Sequence, residues 1–296
     1  MDIDCKRKLS EIEALYFAEP ETKDLFVEGP EDVNIIELFF ESNQVFDINI
    51  ISIDNVDFSE VPNFEIKSNK EKVLFLAETI STNIETNLSN FTCIVDKDFD
   101  SVNDNFVDNP YIQYTDFANL EMYLFNSKSI NKFLKIGLKN FPLPSSIVIN
   151  TLENILTDMF AIRYSRTKID SSFQLIQPDK ILKYHKGNLK YDKADLLTKF
   201  LSKNNALAKA ADFELEIQRV NEKSTELNES RLFMHGKDFF ELFFLIIKKI
   251  KNTYTFNIRS FTRAFFSSIE ITSLIQYDMF QSLKKKYNTV RAYQSP

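Results

Sequence analysis

Between residues 23 and 100 the sequence repeats one pattern: a short apolar run, an abrupt acidic stop, then a stretch with helical periodicity. Leu25-Phe26-Val27 ends at Glu28-Gly29-Pro30, where glycine permits a sharp turn and proline suits a first helical position, its missing N–H not being needed there. Residues 30–42 carry Glu31 and Asp32 in the first turn, favoured by the helix dipole, and Val33, Ile36 and Phe40 along one face. A second apolar run covers 48–53. Ser68 and Glu71 form a capping box, and Val73, Ala77, Ile80, Ile84 and Leu88 recur at three- and four-residue steps, so a helix is predicted over 69–88. The third run, Phe91-Thr92-Cys93-Ile94-Val95, stops at Asp96-Lys97-Asp98-Phe99-Asp100. Strand, helix, strand, helix, strand predicts a parallel sheet with right-handed crossovers and hence an α/β fold.

Such sheets gather ligands at the carboxyl ends of their strands. Both acidic stops fall there, Glu28 after the first strand and Asp96 and Asp98 after the third. In an extended segment residues two apart point the same way, so Asp96 and Asp98 can address one point while Lys97 points elsewhere. Asp32, one turn beyond Glu28, serves either the helix dipole or the same ligand. Converging carboxylates repel unless a cation neutralises them, which predicts a hard divalent ion, Mg²⁺ or Mn²⁺. Beyond a short strand at 111–114, Thr115 and Asp116 suit the cap of a helix over 117–125, where Glu121 stands among Leu120, Met122, Tyr123 and Leu124.

Charge divides the chain. Residues 1–126 hold 8 Lys+Arg against 27 Asp+Glu, net −19, whereas 127–296 hold 28 against 16, net +12. That asymmetry fits an acidic part that holds metal and a basic part that holds a polyanion, or else two differently solvated surfaces. The two regions, 1–126 and 127–296, are the expected domains. The second reads as helical over 145–163, 193–202, 206–222, 238–251 and 260–286, the last with interruptions. A break falls at Asn140-Phe141-Pro142-Leu143-Pro144, and 169–190 is irregular or holds short strands.

The basic region interleaves cations with aromatic rings, Arg163 and Arg166 around Tyr164, then Lys284, Lys285 and Lys286 before Tyr287, and Arg291, a mixture that suits unpaired RNA or a solvated helix face. His235-Gly236-Lys237-Asp238 precedes the apolar run 239–250, either as a helix start or with His235 and Lys237 near a scissile phosphate. His185, in Tyr184-His185-Lys186-Gly187-Asn188, reads as a loop residue. Cys5 and Cys93 form no metal-binding spacing, which excludes structural zinc and fits a reducing cytoplasm. No apolar run is long enough to span a membrane, no Gly-rich phosphate loop occurs, and nothing supports a nucleophilic triad.

Strand-Glu-Gly followed by strand-Asp-x-Asp resembles the TOPRIM signature of topoisomerases, primases and overcoming-lysogenization-defect (OLD) nucleases. Here it reads Phe26-Val27-Glu28-Gly29-Pro30-Glu31-Asp32 and Ile94-Val95-Asp96-Lys97-Asp98-Phe99-Asp100. Residues 115–124 and His235-Gly236-Lys237 are further similar to the TOPRIM-like AriB nucleases, effectors of PARIS-type anti-phage systems. The resemblance implies a Rossmann-like sheet flanked by helices, followed by a mostly helical region. It also implies Glu28, Asp96 and Asp98 as catalytic residues, with these three, Asp32 and Glu121 as metal ligands. Phosphate or nucleic-acid contacts would come from His235, Lys237, Arg163, Arg166, Lys284, Lys285 and Lys286. The implied activity is cleavage of host tRNA by a homodimer released from an ATPase sensor (AriA-like). A DNA nickase of OLD type and a non-catalytic subunit that binds the ATPase are the alternatives. Glu28 would bridge to a second metal or act as general acid or base, and one metal or two remain equally open.

Overall fold

A computed structural model describes residues 6–62, 64–66, 68–84, 88–139, 141–185, 188–251 and 256–288. Cys5, Asn140, Lys186, Gly187 and Arg291 lie outside the described residues. In chain order the elements are β1 (Arg7–Lys8), α1 (Leu9–Ala18), β2 (Asp24–Val27), α2 (Pro30–Ser42), β3 (Asn49–Ser52), β4 (Val56–Asp57), α3 (Asn69–Asn83), β5 (Phe91–Val95), α4 (Asp100–Asn103) and β6 (Ile112–Tyr114). There follow α5 (Ser127–Lys132), α6 (Ser145–Ile169), β7 (Lys183–His185), β8 (Asn188–Lys190), α7 (Lys193–Lys203), α8 (Ala210–Leu227), α9 (Gly236–Ile250), α10 (Ile258–Phe266) and α11 (Asp278–Asn288). Among the described residues no helix is long and apolar enough to cross a membrane.

The chain separates into two compact units, neither continuous in sequence. One comprises Met1–Lys97, Asn105–Asp116 and Glu270–Pro296, the other Asp98–Asp104 and Phe117–Ile269.

The first unit is built on a four-stranded parallel sheet of order β3-β2-β5-β6. All four residues of β2 and all five of β5 are buried, because helices cover both faces. Phe26, Phe91, Cys93 and Val95 join one core with Leu9, Ile12 and Tyr16 of α1 and Val73, Leu76, Ala77 and Ile80 of α3. Residues alternate across a strand, so Leu25, Val27, Thr92 and Ile94 face the opposite layer. There Phe39 and Phe40 of α2 pack against Phe280 and Tyr287 of α11, with ring centroids 4.7 and 5.5 Å apart.

The second unit is held by aromatic rings. Phe160, Ala161 and Tyr164 of α6 form a core with Val102, Val220 and Phe233, while Phe239 and Phe243 of α9 meet Phe261 and Phe265 of α10. The chain's 29 phenylalanines are therefore largely core, Phe17, Phe46 and Phe106 being exposed exceptions. β7 and β8 form an antiparallel hairpin, which places His185 in a strand rather than a loop.

Several expectations need correction. α3 ends at Asn83, short of 88, with Ile84 as its extended C-cap. Gly29 has an ordinary extended φ of −140°, so the turn after β2 uses no conformation special to glycine. The stretch 117–125 is no α-helix: only Leu120–Leu124 winds, as a 3₁₀ turn. The Asp116 carboxylate accepts the Met279 N–H at the start of α11. The interruption expected within 260–286 is present: α10 and α11 are separated by a 3₁₀ turn at Ile271–Gln276.

Candidate functional site

In the first unit the register pairs Phe26 with Cys93, so β2 and β5 end within one residue of each other, and Glu28 and Asp96 are the residues that leave them. The two strands are the central pair, and the chain departs from β2 to β3 on one side and from β5 to β6 on the other. Their carboxyl ends are thus the switch point at which open α/β sheets place ligands. Glu28 Oε1 accepts the Asp96 N–H at 2.9 Å, tying one acidic stop to the other. Asn69, first residue of α3, donates to Glu28 O at 2.8 Å, and Lys70 Nζ reaches Asp96 O at 2.5 Å and Lys97 O at 3.1 Å. Asn69 and Lys70 were missed in the sequence reading. Their signal was the helix start itself, which directs the first residues of α3 at the strand ends.

The Lys97 N–H donates to Thr115 Oγ1 at 3.3 Å and its ammonium to Asp116 O at 3.1 Å. Burial lowers its pKa, with Asp116 opposing. Asp32 Oδ2 accepts the Gly29 N–H at 2.9 Å, the reciprocal half of a helix cap. Lys286 Nζ donates to Phe91 O at 2.6 Å, at the other end of β5 from Asp96, and burial lowers its pKa to about 8. Of its neighbours, Lys284 is half-buried and Lys285 exposed.

The extended backbone that would align Asp96 and Asp98 does not continue. β5 ends at Val95, and Asp98 takes a left-handed φ of 45°, opening the first segment of the second unit. Its N–H donates to Ala118 O at 2.8 Å, and Ala118 N–H donates to Arg231 O at 3.1 Å. Three residues on, Glu121 lies against Gly236. His235 is the N-cap residue of α9, and its Nδ1 is buried without a hydrogen-bond partner. Burial first, and then the Arg163 charge, lower the His235 pKa, while Asp238 and Asp98 oppose. Arg163 holds Asp238 in a bidentate pair, with Nη2 at 2.6 Å from Oδ1 and 2.8 Å from Oδ2, so its guanidinium anchors α6 to the first turn of α9. Arg166 is half-buried with Nε unpartnered, and Lys237 is exposed.

Chemically, the acidic set suits a hard cation, since all its donors are carboxylate oxygens. Among the described residues, however, no three His, Cys, Asp or Glu side chains are gathered closely enough to hold a metal ion. Compared with models of known protein families and with curated proteins, the chain matches none.

Proposed function

We propose that the chain is a metal-dependent endoribonuclease of TOPRIM type, the toxic effector of an anti-phage system, which cuts host tRNA once an ATPase sensor releases it. One observation carries the reading: Glu28 and Asp96 emerge together from the two central parallel strands, joined by the hydrogen bond from Asp96 N–H to Glu28 Oε1. A parallel sheet concentrates chemistry at that end, and two adjacent carboxylates without a cation would repel an anionic phosphodiester. A bound Mg²⁺ or Mn²⁺ would offset that charge and lower the pKa of a coordinated water.

In this reading Glu28 and Asp96 are ligands offered by the sheet, and Asp98 and Glu121 are those added by the family resemblance. Lys70, bonded to the carbonyls of Asp96 and Lys97, holds the backbone that presents Asp96. Glu28 keeps its orientation through Asp96 N–H and is a proton acceptor by chemistry. His235, held largely neutral near pH 7 by burial and by Arg163, is a second group able to take a proton.

The test offers purified protein tRNA and supercoiled plasmid in Mg²⁺ or Mn²⁺. Cleavage of tRNA, lost by about 100-fold or more in Glu28→Ala and in Asp96→Ala with unfolding midpoints kept, is the expected result. Full cleavage by both variants would overturn it, and nicking of plasmid alone would make the chain a DNA nickase. The alternative is a non-catalytic subunit that binds the ATPase. It predicts no divalent-metal binding and no cleavage of either nucleic acid.

A further inference from the structure

We infer that Asn119 is a positioning residue that sets the Glu121 carboxylate, with Gly236 providing the space in which that carboxylate lies. The inference rests on reading Glu121 as a metal ligand. Asn119 is buried, 4% exposed, directly before the turn Leu120–Leu124. An asparagine there ordinarily caps its own turn, yet this side chain makes no such bond. Its amide is used elsewhere: assigned the orientation in which each atom faces a complementary partner, its nitrogen donates to Glu121 Oε2 at 3.0 Å and its oxygen accepts the Gly236 N–H at 3.1 Å.

That donor is the first N–H of α9, one of those a helix leaves without an internal partner. A planar amide presents a donor and an acceptor side by side, so one group can satisfy a carboxylate and a helix end together. Gly236 matters for a different reason. A Cβ built there would stand 2.6 Å from Glu121 Cδ and Oε2, nearer than real side chains approach, so the carboxylate lies on bare backbone. The segment is also fixed at Ala118, bonded to Asp98 N–H through its carbonyl and to Arg231 O through its amide. Asn119 therefore ties Glu121 to the start of the helix headed by His235, one residue from the strap to Asp98.

Asn119→Asp and Gly236→Ala together separate orientation from structure. An aspartate still accepts the Gly236 N–H, so the cap on α9 is kept, but it presents an acceptor to Glu121 Oε2 where a donor stood. The experiment measures Mn²⁺ binding to the full chain by calorimetry, with thermal unfolding alongside, for wild type, Asn119→Asp, Gly236→Ala and Glu121→Gln. Asn119→Asp sets a second carboxylate where the amide stood 3.0 Å from Glu121 Oε2, so it is expected to unfold at a lower temperature than wild type and, while folded, to bind Mn²⁺ about tenfold more weakly, the usual scale for a partner that orients a metal ligand. Gly236→Ala, which displaces the carboxylate without altering Asn119, is expected to weaken binding in the same direction. Should Glu121→Gln weaken Mn²⁺ binding while Asn119→Asp and Gly236→Ala bind as tightly as wild type or tighter, the positioning role is overturned and Glu121 stays a ligand. Should Glu121→Gln bind Mn²⁺ like wild type, the ligand reading itself fails.

Discussion

The two ends of the central sheet are made from the same strands and differ in every chemical respect. At the carboxyl ends, Glu28 and Asp96 are half-buried and held by backbone groups and by Lys70. At the amino ends, Asp24 is 1% exposed and enclosed by side chains: Tyr16 Oη donates to its Oδ2 at 2.8 Å and Asn49 Nδ2 to its Oδ1 at 2.7 Å. Tyr287 adds its hydroxyl at 2.9 Å from Thr92 Oγ1 and 3.1 Å from Asn90 O, and Lys286 binds Phe91 O. One end is a closed polar network with its donors matched, the other an acidic rim. An acidic residue beside an apolar strand is therefore a structural group at one end and a candidate for chemistry at the other.

The sharpest contrast is between Asp24→Ala and Glu28→Gln. The first leaves the Tyr16 hydroxyl and the Asn49 amide without their buried acceptor and is expected to cost about 3 kcal/mol of stability, read from urea unfolding. Glu28→Gln retains a carbonyl for Asp96 N–H and should change stability by less than about 0.5 kcal/mol while cleavage is lost. Equal destabilisation by the two would erase the distinction between the ends.

Lys286 gives the closed end a pH signature. Burial lowers its pKa to about 8, so between there and its ordinary value near 10.5 the unfolded chain binds more protons than the folded one. This group's contribution to stability therefore rises with pH across that window and is a fixed penalty below it. Tyr16, Tyr287 and Cys93 are all raised, chiefly by burial, and act in the opposite sense at alkaline pH. The comparison that isolates Lys286 is wild type against Lys286→Met. Urea midpoints from pH 7.5 to 10 should rise in wild type relative to the variant, and parallel profiles would show that the ammonium is solvated.

The smallest effect belongs to Asp32. Asp32→Asn keeps an acceptor for Gly29 N–H and removes the charge at the start of α2, a change of about 0.5 kcal/mol on helix-dipole grounds. A large loss of cleavage with that small loss of stability would make Asp32 a ligand, and unchanged cleavage would leave it a cap.

The strands at the acidic end were legible because β2 and β5 are buried on both faces and so read as unbroken apolar runs. Glu28 and Asp96 followed from position alone. What periodicity could not show was where the chain stops being extended: the left-handed turn at Asp98 depends on Ala118 accepting its N–H, twenty residues away. Asp116 had the composition of a local cap, but its bond to the Met279 N–H at the start of α11 is set by tertiary packing. Lys286 read as an RNA contact or part of a solvated helix face because nothing in its neighbourhood predicts a carbonyl of β5 beside it. A sharper signal was available for Asn119 and Gly236. In a chain with 4 glycines among 296 residues, each glycine is itself a question, and at 236 the answer is the Glu121 carboxylate.

The layer of the sheet opposite α1 and α3 is completed by α11, so Tyr287 reaches Asn90 across almost two hundred intervening residues. During translation the strands emerge early, but the ring that closes over them leaves the ribosome only after the whole second unit has been made. The strands of the first unit thus belong to a core that must wait for sequence made well after them, and the long loop this closes makes its completion a slow step.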